Sequence, residues 1–175
     1  MRMHPPLVGV LVVAGVCLHA RPEPMWSSDG CNVTAPNGIV AGTPEPKAWS
    51  YGNHLLSVGP FGLWPEGTVV FKPNGPGFTT PEGRLGMKFG WTRGIPGPVR
   101  VSGRRLDGVA PALIAEVNDG YGDIGFQASY LIFSQPGCWE VSARVGEREE
   151  SDITFIVRIV KLGEGPALRR ETRDE

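Results

Sequence analysis

The amino-acid sequence predicts an all-β protein, an antiparallel β-sandwich of seven or eight short strands. Three observations lead to this fold class. The chain of 175 residues contains 25 Gly and 17 Pro, which interrupt helices and occupy turns. Apolar and polar residues alternate in several short segments, as in a strand with one buried face. The chain shows neither a helical stripe of useful length nor an internal repeat.

The N-terminus predicts a secretory signal peptide. Residues 1–6 hold one Arg and no acid, and the apolar run Leu7–Leu18 is shorter than the about 20 residues of a membrane span. Ala20 is the small residue expected at a cleavage site, so residues 1–20 are predicted to be removed on export. A second interpretation is a lipoprotein acylated at Cys17, and this anchor is the one membrane contact that we expect.

The remaining chain has the size of one domain between two segments without strand patterns. Residues 21–50 are polar and rich in Pro, and they predict an extended tether. Residues 51–161 hold the predicted sandwich, and residues 162–175 predict a charged, flexible tail. The formal net charge of −1 argues against binding of nucleic acid, which requires a basic face.

Eight strands are predicted within the sandwich, and turn-forming sequences such as WPEG, KPNGPG and NDGYGD separate them. The first six lie at 55–58, 68–72, 84–89, 99–103, 112–117 and 130–133. The last two form an antiparallel hairpin around the charged loop 146–152. Their shared buried face is predicted to consist of Trp139, Val141, Ala143, Val145, Ile153, Phe155, Val157 and Ile159.

The same hairpin resembles that of a known class of domains. PGCWEVSARV followed by SDITFIVRIV is similar to the closing hairpin of bacterial immunoglobulin-like domains, with Pro136, Gly137 and Trp139 at its start. Together with LWPEGTVVFKPNGPGF, GRRLDG and DGYGDIGFQAS, residues 31–161 resemble uncharacterised secreted or lipid-anchored bacterial proteins. The resemblance implies an immunoglobulin-like β-sandwich and export, and it implies no catalytic residue.

Two cysteines, Cys31 and Cys138, remain after removal of the signal peptide. Two cysteines in an oxidising compartment are more often paired than free, so a Cys31–Cys138 disulfide is predicted. The bond requires the two Cα atoms to lie within about 7 Å of each other. The alternative is a buried free Cys138 with an exposed Cys31.

Catalytic and metal-binding patterns are weak in this chain. The mature part contains one histidine, His54, with neither a GxSxG motif nor the His and Cys spacing of a metal site. We therefore predict no catalytic residue and no cofactor, and we interpret His54 as a surface or strand-edge residue. Asp119 and Asp123 flank Gly-Tyr-Gly, so they are candidate Ca²⁺ ligands, and the alternative is that they cap backbone amides of a turn.

Tryptophan and arginine side chains are the candidate ligand-binding residues. Trp64 and Trp91 lie in loops or at strand ends, where aromatic rings can stack on sugars or anchor a partner. Arg93, Arg104 and Arg105 are candidates for contacts to acidic glycans or lipid headgroups. The alternative for the arginines is a solvated face of the sheet.

These observations predict a non-enzymatic binding or scaffold module that is secreted or held in the cell envelope. Its expected partner is an envelope protein or a glycan. Two alternatives remain at this point: a secreted hydrolase with a site near His54 and Asp119 or Asp123, and a protease inhibitor that presents sandwich loops. The hydrolase requires His54 in a pocket, whereas the binding module requires exposed Trp or Arg side chains at one end of the sandwich.

Overall fold

The computed structural model describes residues 30–59, 67–72 and 75–163. These residues form ten strands in two packed sheets, so the all-β prediction is confirmed. The strands are β1 (Tyr51–Gly52), β2 (Leu56–Gly59), β3 (Thr68–Phe71), β4 (Phe78–Thr79), β5 (Leu85–Arg93), β6 (Val99–Arg105), β7 (Ile114–Val117), β8 (Gly125–Phe133), β9 (Gly137–Val145) and β10 (Arg148–Lys161). Eight of them overlap the predicted strands, while β1 and β4 are too short to show alternation.

The strands are divided between a large sheet and a small sheet. The large sheet has the order β1-β2-β5-β8-β7, with β4 beside β5, and the small sheet has the order β3-β10-β9-β6. Every described pair is antiparallel except β3 and β10, which run parallel with Val69 beside Ile159. The prediction of a purely antiparallel sandwich is therefore corrected. β3 follows β2 in the chain but crosses to the other sheet, where it runs in the same direction as the last strand.

The core lies between the two sheets and is rich in aromatic side chains. Phe89 and Trp91 of β5 face inward with Phe133 of β8, Trp139 of β9 and Phe155 of β10, and all five are fully buried. The ring centroids of Phe133 and Trp139 lie 5.4 Å apart, and those of Trp91 and Phe155 lie 6.3 Å apart. Truncation of such a side chain to Ala costs about 3–5 kcal/mol, so this cluster makes a large contribution to stability.

The turn between β9 and β10 differs from its prediction. The sequence predicts a charged loop over 146–152, but the two strands are joined by the two-residue turn 146–147. Arg148 already pairs with the end of β9, and the register then shifts so that Ile153 lies opposite Ala143. The charged residues in between form a bulge within β10 rather than a loop, because the bulge keeps the following apolar residues facing the core.

The bulge is held by Ser151, which leads to a first testable prediction. The buried Ser151 hydroxyl donates to Arg148 O at 2.6 Å and accepts from Val145 N–H at 2.8 Å. Ser151→Ala leaves both backbone groups without this partner, so we expect the free energy of unfolding in urea to fall by about 1–2 kcal/mol. Ser102→Ala on the outer sheet face is the control, with an expected change within about 0.5 kcal/mol. Equal losses in the two variants would contradict the role of Ser151.

The segment 31–50, part of the predicted extended tether, contains no strand but packs against the sandwich. Thr34 N–H donates to Ile156 O at 2.9 Å, and Ile156 N–H donates to Thr34 Oγ1 at 2.8 Å. Thr34 thereby covers the edge of β10 at Ile156. The same edge pairs with β3 two residues further on, from Arg158. Further along, Ala41 N–H donates to the Ser57 hydroxyl at 3.0 Å in a buried position. Segment 31–50 is therefore held against the sandwich by these hydrogen bonds, although it precedes β1 in the chain.

Several predicted features lie outside the described residues. These are the signal peptide with Cys17, the first part of the tether up to residue 29, Trp64 and the tail from residue 164 onward. The predictions about them stay predictions. Within the described part of the chain, no helix has the length and apolar character needed to cross a membrane.

Candidate binding surface at the loop end

Four connecting segments meet at one end of the sandwich, which we call the loop end. They join β1 to β2, β5 to β6, β7 to β8 and β9 to β10, and they comprise residues 53–55, 94–98, 118–124 and 146–147. Backbone hydrogen bonds link them: Gly94 N–H to Leu55 O (2.9 Å), Gly97 N–H to Asp123 O (3.2 Å) and Gly146 N–H to Pro98 O (2.8 Å). The four segments therefore form one continuous surface.

Arg93 lies beneath this surface at the end of β5 and is only 3% exposed. Its guanidinium donates to the carbonyl oxygens of Gly97 at 2.7 Å, of Gly125 at 3.3 Å and of Gly122. Burial lowers the pKa of Arg93, and the negative charge of Asp123 opposes this effect. Arg93 therefore fastens the β5–β6 segment to the β7–β8 segment from below. Its predicted role in ligand contact is corrected, because the side chain is occupied inside the protein.

A second buried polar side chain, Gln127 of β8, holds the base of the same segments. Its Oε1 accepts from Val99 N–H at 3.0 Å, and its Nε2 donates to Asn118 O at 3.1 Å. Among the described residues, every buried side-chain nitrogen and oxygen has a hydrogen-bond partner. Satisfied polar groups in a low-dielectric interior are strongly held, so Arg93 and Gln127 make the loop end a rigid platform.

Three apolar side chains are exposed on this platform, and we call them the loop-end patch: Tyr121, Ile124 and Phe126. They are 36%, 55% and 53% exposed, respectively. The rings of Tyr121 and Phe126 meet edge to face, with centroids 5.5 Å apart. None of these three side chains was predicted from the sequence to bind a ligand. The available signal is the apolar content of a Gly-rich turn, where polar residues normally predominate.

Trp91, one of the two predicted aromatic ligand-binding residues, is not part of this patch. Trp91 is fully buried, and its Nε1–H donates to the Ser129 hydroxyl at 2.8 Å. The sequence places Trp91 beyond the end of a strand, but β5 continues to Arg93 and keeps the indole on its inner face. Trp91 is therefore a core residue, and its prediction as a ligand-binding residue is corrected. Trp64 lies outside the described residues.

The structure also separates Arg104 and Arg105 from the loop end. Arg104 lies on the outer face of the small sheet, where its Nε is 2.8 Å from Glu140 Oε1. The Nε of Arg105 is 2.7 Å from Asp107 Oδ1, close to Gly137 at the opposite end of the sandwich. Burial raises the pKa of Asp107, but hydrogen bonds from Arg105 and a backbone N–H outweigh it and hold the pKa below its usual range. These arginines therefore belong to two separate ion pairs.

His54, Asp119 and Asp123 are brought to the loop end, all in exposed positions. The His54 carbonyl accepts from Gly42 N–H at 3.1 Å. The described residues contain no group of three or more His, Cys, Asp or Glu side chains that could hold a metal ion. Carbonyl oxygens in the turn that carries Asp123 already accept from Arg93. The positively charged Arg93 therefore bonds the turn that carries Asp123, one of the two candidate Ca²⁺ ligands.

The predicted disulfide is confirmed. Cys31 and Cys138 are bonded, with their Cα atoms 5.5 Å apart, and both residues are buried. The bond ties the segment before the first strand to the start of β9 in the small sheet. It is compatible with an extracytoplasmic location, because oxidising compartments are where such bonds persist.

No family model, curated protein or solved structure matches this chain. Function is therefore inferred from the chemistry of its own surfaces. Among the residues that the structure describes, those of the loop end combine hydrogen-bonded support with three exposed apolar side chains.

Proposed function

We propose that this protein is a non-enzymatic, extracytoplasmic binding module that holds a partner protein at its loop end. The observation that carries the proposal is the loop-end patch on its rigid support. Exposed aromatic and aliphatic groups provide the hydrophobic centre of a protein interface. Arg93 and Gln127 keep the segments in place before binding, which reduces the entropy lost on association.

The strand order supports an immunoglobulin type of sandwich within this proposal. Four strands of the large sheet, β2-β5-β8-β7, correspond in order to the four-stranded sheet of an immunoglobulin constant domain, and β10-β9-β6 correspond to its three-stranded sheet. In variable domains of this class, connections at one end of the sandwich form the binding surface. The β5–β6 and β9–β10 connections of the loop end occupy equivalent places.

A protein partner fits the patch better than a sugar. Ile124 is the most exposed of the three side chains and has no ring to stack on a saccharide. The rings of Tyr121 and Phe126 lie at 70° to each other, so they do not form one flat platform. An aliphatic and two tilted aromatic groups instead match the hydrophobic centre that protein partners bury.

The test is capture of a partner from envelope extract by the immobilised mature protein. Tyr121→Ser/Ile124→Ser is expected to reduce the captured amount about tenfold or more, because interface residues of this kind commonly contribute more than about 1 kcal/mol each. Val109→Ser is the matched control, because Val109 is 99% exposed but lies in the connection at the other end. Its capture should equal that of the wild type.

Two outcomes would contradict the proposal. One is full capture by the double variant, and the other is an equal loss in Val109→Ser. Both altered side chains of the double variant are exposed, so its free energy of unfolding should stay within about 0.5 kcal/mol per residue of the wild-type value. Phe126 is left unchanged because its ring packs over Gly90.

A further inference from the structure

The outer face of the small sheet carries a groove that is separate from the loop-end patch. It has a volume of about 310 Å³ and crosses β6, β9 and β10. Small-ligand sites typically begin at about 300 Å³, so the groove can accept one small chemical unit. Its polar lining consists of Arg100, Ser102, Ser142, Arg144, Asp152 and Thr154.

The floor of the groove is a row of hydroxyl groups on neighbouring strands. Ser102 lies directly opposite Ser142, which lies directly opposite Thr154. The Ser142 and Thr154 hydroxyl oxygens are 3.0 Å apart. The backbone carbonyl of Thr154 accepts a hydrogen bond of 2.9 Å from the OH of Tyr51, which lies in β1 of the large sheet. The floor is therefore small, polar and held in place.

One wall of the groove contains two arginines that face each other across the strands. Arg100 of β6 lies directly opposite Arg144 of β9. Like charges in such a pair destabilise a sheet. Each guanidinium is next to a single acid, with Arg100 Nη2 2.9 Å from Glu147 Oε1 and Arg144 Nη2 2.7 Å from Asp152 Oδ2. Two cations thus converge on one edge of a hydroxyl floor.

The ion pairs in this wall are weak enough to be exchanged. The partners of both pairs are at least one third exposed, and ion pairs at such exposed positions contribute little to stability. A guanidinium binds a carboxylate or sulfate through two parallel hydrogen bonds, so a ligand anion can replace Glu147 or Asp152.

We propose that this groove binds an anionic saccharide unit. The hydroxyl groups of the floor can exchange hydrogen bonds with the hydroxyl groups of a sugar ring. Arg100 and Arg144 can donate hydrogen bonds to its carboxylate or sulfate. The site goes beyond the partner-binding function of the loop end. Phe126 of the patch faces outward from the large sheet, whereas the groove lies on the small sheet on the other side of the sandwich. The protein can therefore bind a saccharide and a protein partner at the same time.

The experiment measures binding of the mature protein to soluble polysaccharides by calorimetry. The probes are polygalacturonate and dextran sulfate, with neutral dextran for comparison and phosphatidylglycerol vesicles as the lipid alternative. We expect binding to one or both anionic polysaccharides that weakens with added salt, and we expect none to dextran. Binding to vesicles alone, binding to dextran at equal strength, or no binding to any polysaccharide would overturn the proposal.

Variants locate the binding in the groove. Arg144→Gln is expected to raise the Kd about tenfold or more, since a hydrogen bond to a charged group contributes about 1.5–3 kcal/mol. Ser142→Leu fills the floor and should raise the Kd to a similar extent without removing a charge. Arg148→Gln is the control, because Arg148 is an exposed β10 arginine outside the groove, and its Kd should stay within about twofold. Equal losses in Arg144→Gln and Arg148→Gln would show that net charge, rather than the groove, binds the polymer.

Discussion

Replacement of both Cys31 and Cys138 by Ser is expected to lower the free energy of unfolding by about 4–5 kcal/mol. The disulfide joins residues 107 positions apart, so it strongly restricts the unfolded chain. The loss is comparable to the whole stability of a modest domain, about 5–15 kcal/mol. Urea unfolding of the oxidised wild type and of Cys31→Ser/Cys138→Ser measures the difference. The double variant removes both thiols, so that no free cysteine is left to form other bonds.

Reductant provides the control for this experiment. Treatment of the wild type should lower its stability to that of the double variant, and the double variant itself should not respond. The hydrogen bonds that hold segment 31–50, such as those between Thr34 and Ile156, remain in both cases. Their net contribution is about 1 kcal/mol each, so they do not compensate for the covalent bond. A change below about 1 kcal/mol would contradict the chain-entropy explanation.

Arg93→Met is expected to lower the free energy of unfolding by about 3 kcal/mol or more. The substitution keeps an unbranched apolar side chain but removes the donors to the carbonyls of Gly97, Gly122 and Gly125. Acceptors left without partners in a buried place cost about 1–3 kcal/mol each. Urea unfolding measures the total loss. Hydrogen exchange of the Gly97 amide, which bonds Asp123 O, measures the loosening of the loop end.

Two further variants separate the role of Arg93 in the fold from that of its charge. Arg93→Lys keeps the charge but lacks the planar fork that reaches three acceptors. Its free energy of unfolding should therefore lie between that of the wild type and that of Arg93→Met. Arg148→Met removes an exposed arginine and should change neither stability nor exchange. Unchanged exchange of Gly97 in Arg93→Met would show that Arg93 does not hold the loop end in place.

Local patterns were sufficient to predict eight of the ten described strands and the β9–β10 hairpin, but not the pairings between strands that are distant in the chain. The alternation in β9 and β10 identifies their inward residues because each side chain's face depends only on its position within its own strand. The predicted segments 84–89 and 130–133 stop short of the loop end, whereas β5 and β8 both reach it. Their last inward residues at the loop end are the polar Arg93 and Gln127, which interrupt the apolar alternation. The parallel pairing of β3 with β10 depends on contacts far apart in the chain, and no local pattern encodes it.

The candidate site was less predictable for a related reason. Arginine is a residue type that usually lies at the surface. The buried role of Arg93 depends on carbonyl groups up to 32 residues away in the chain. Trp91 was assigned to a strand end, whereas a longer strand carries it into the core. An exposed residue such as Ile124 is indistinguishable from a core residue by type alone. The disulfide was predictable because one pair of cysteines lies outside the predicted signal peptide.

The central place of β10 in the small sheet determines when a newly made chain can complete its fold. β3 has its strand partner in β10, and Thr34 bonds the same strand across 122 residues of sequence. Synthesis proceeds from the N-terminus, so both segments are released long before their partner. Pairings between such distant segments form slowly. During this interval β3 and β9 each lack the neighbour that β10 later supplies, and the emerging chain is most exposed to misassembly until β10 has been made.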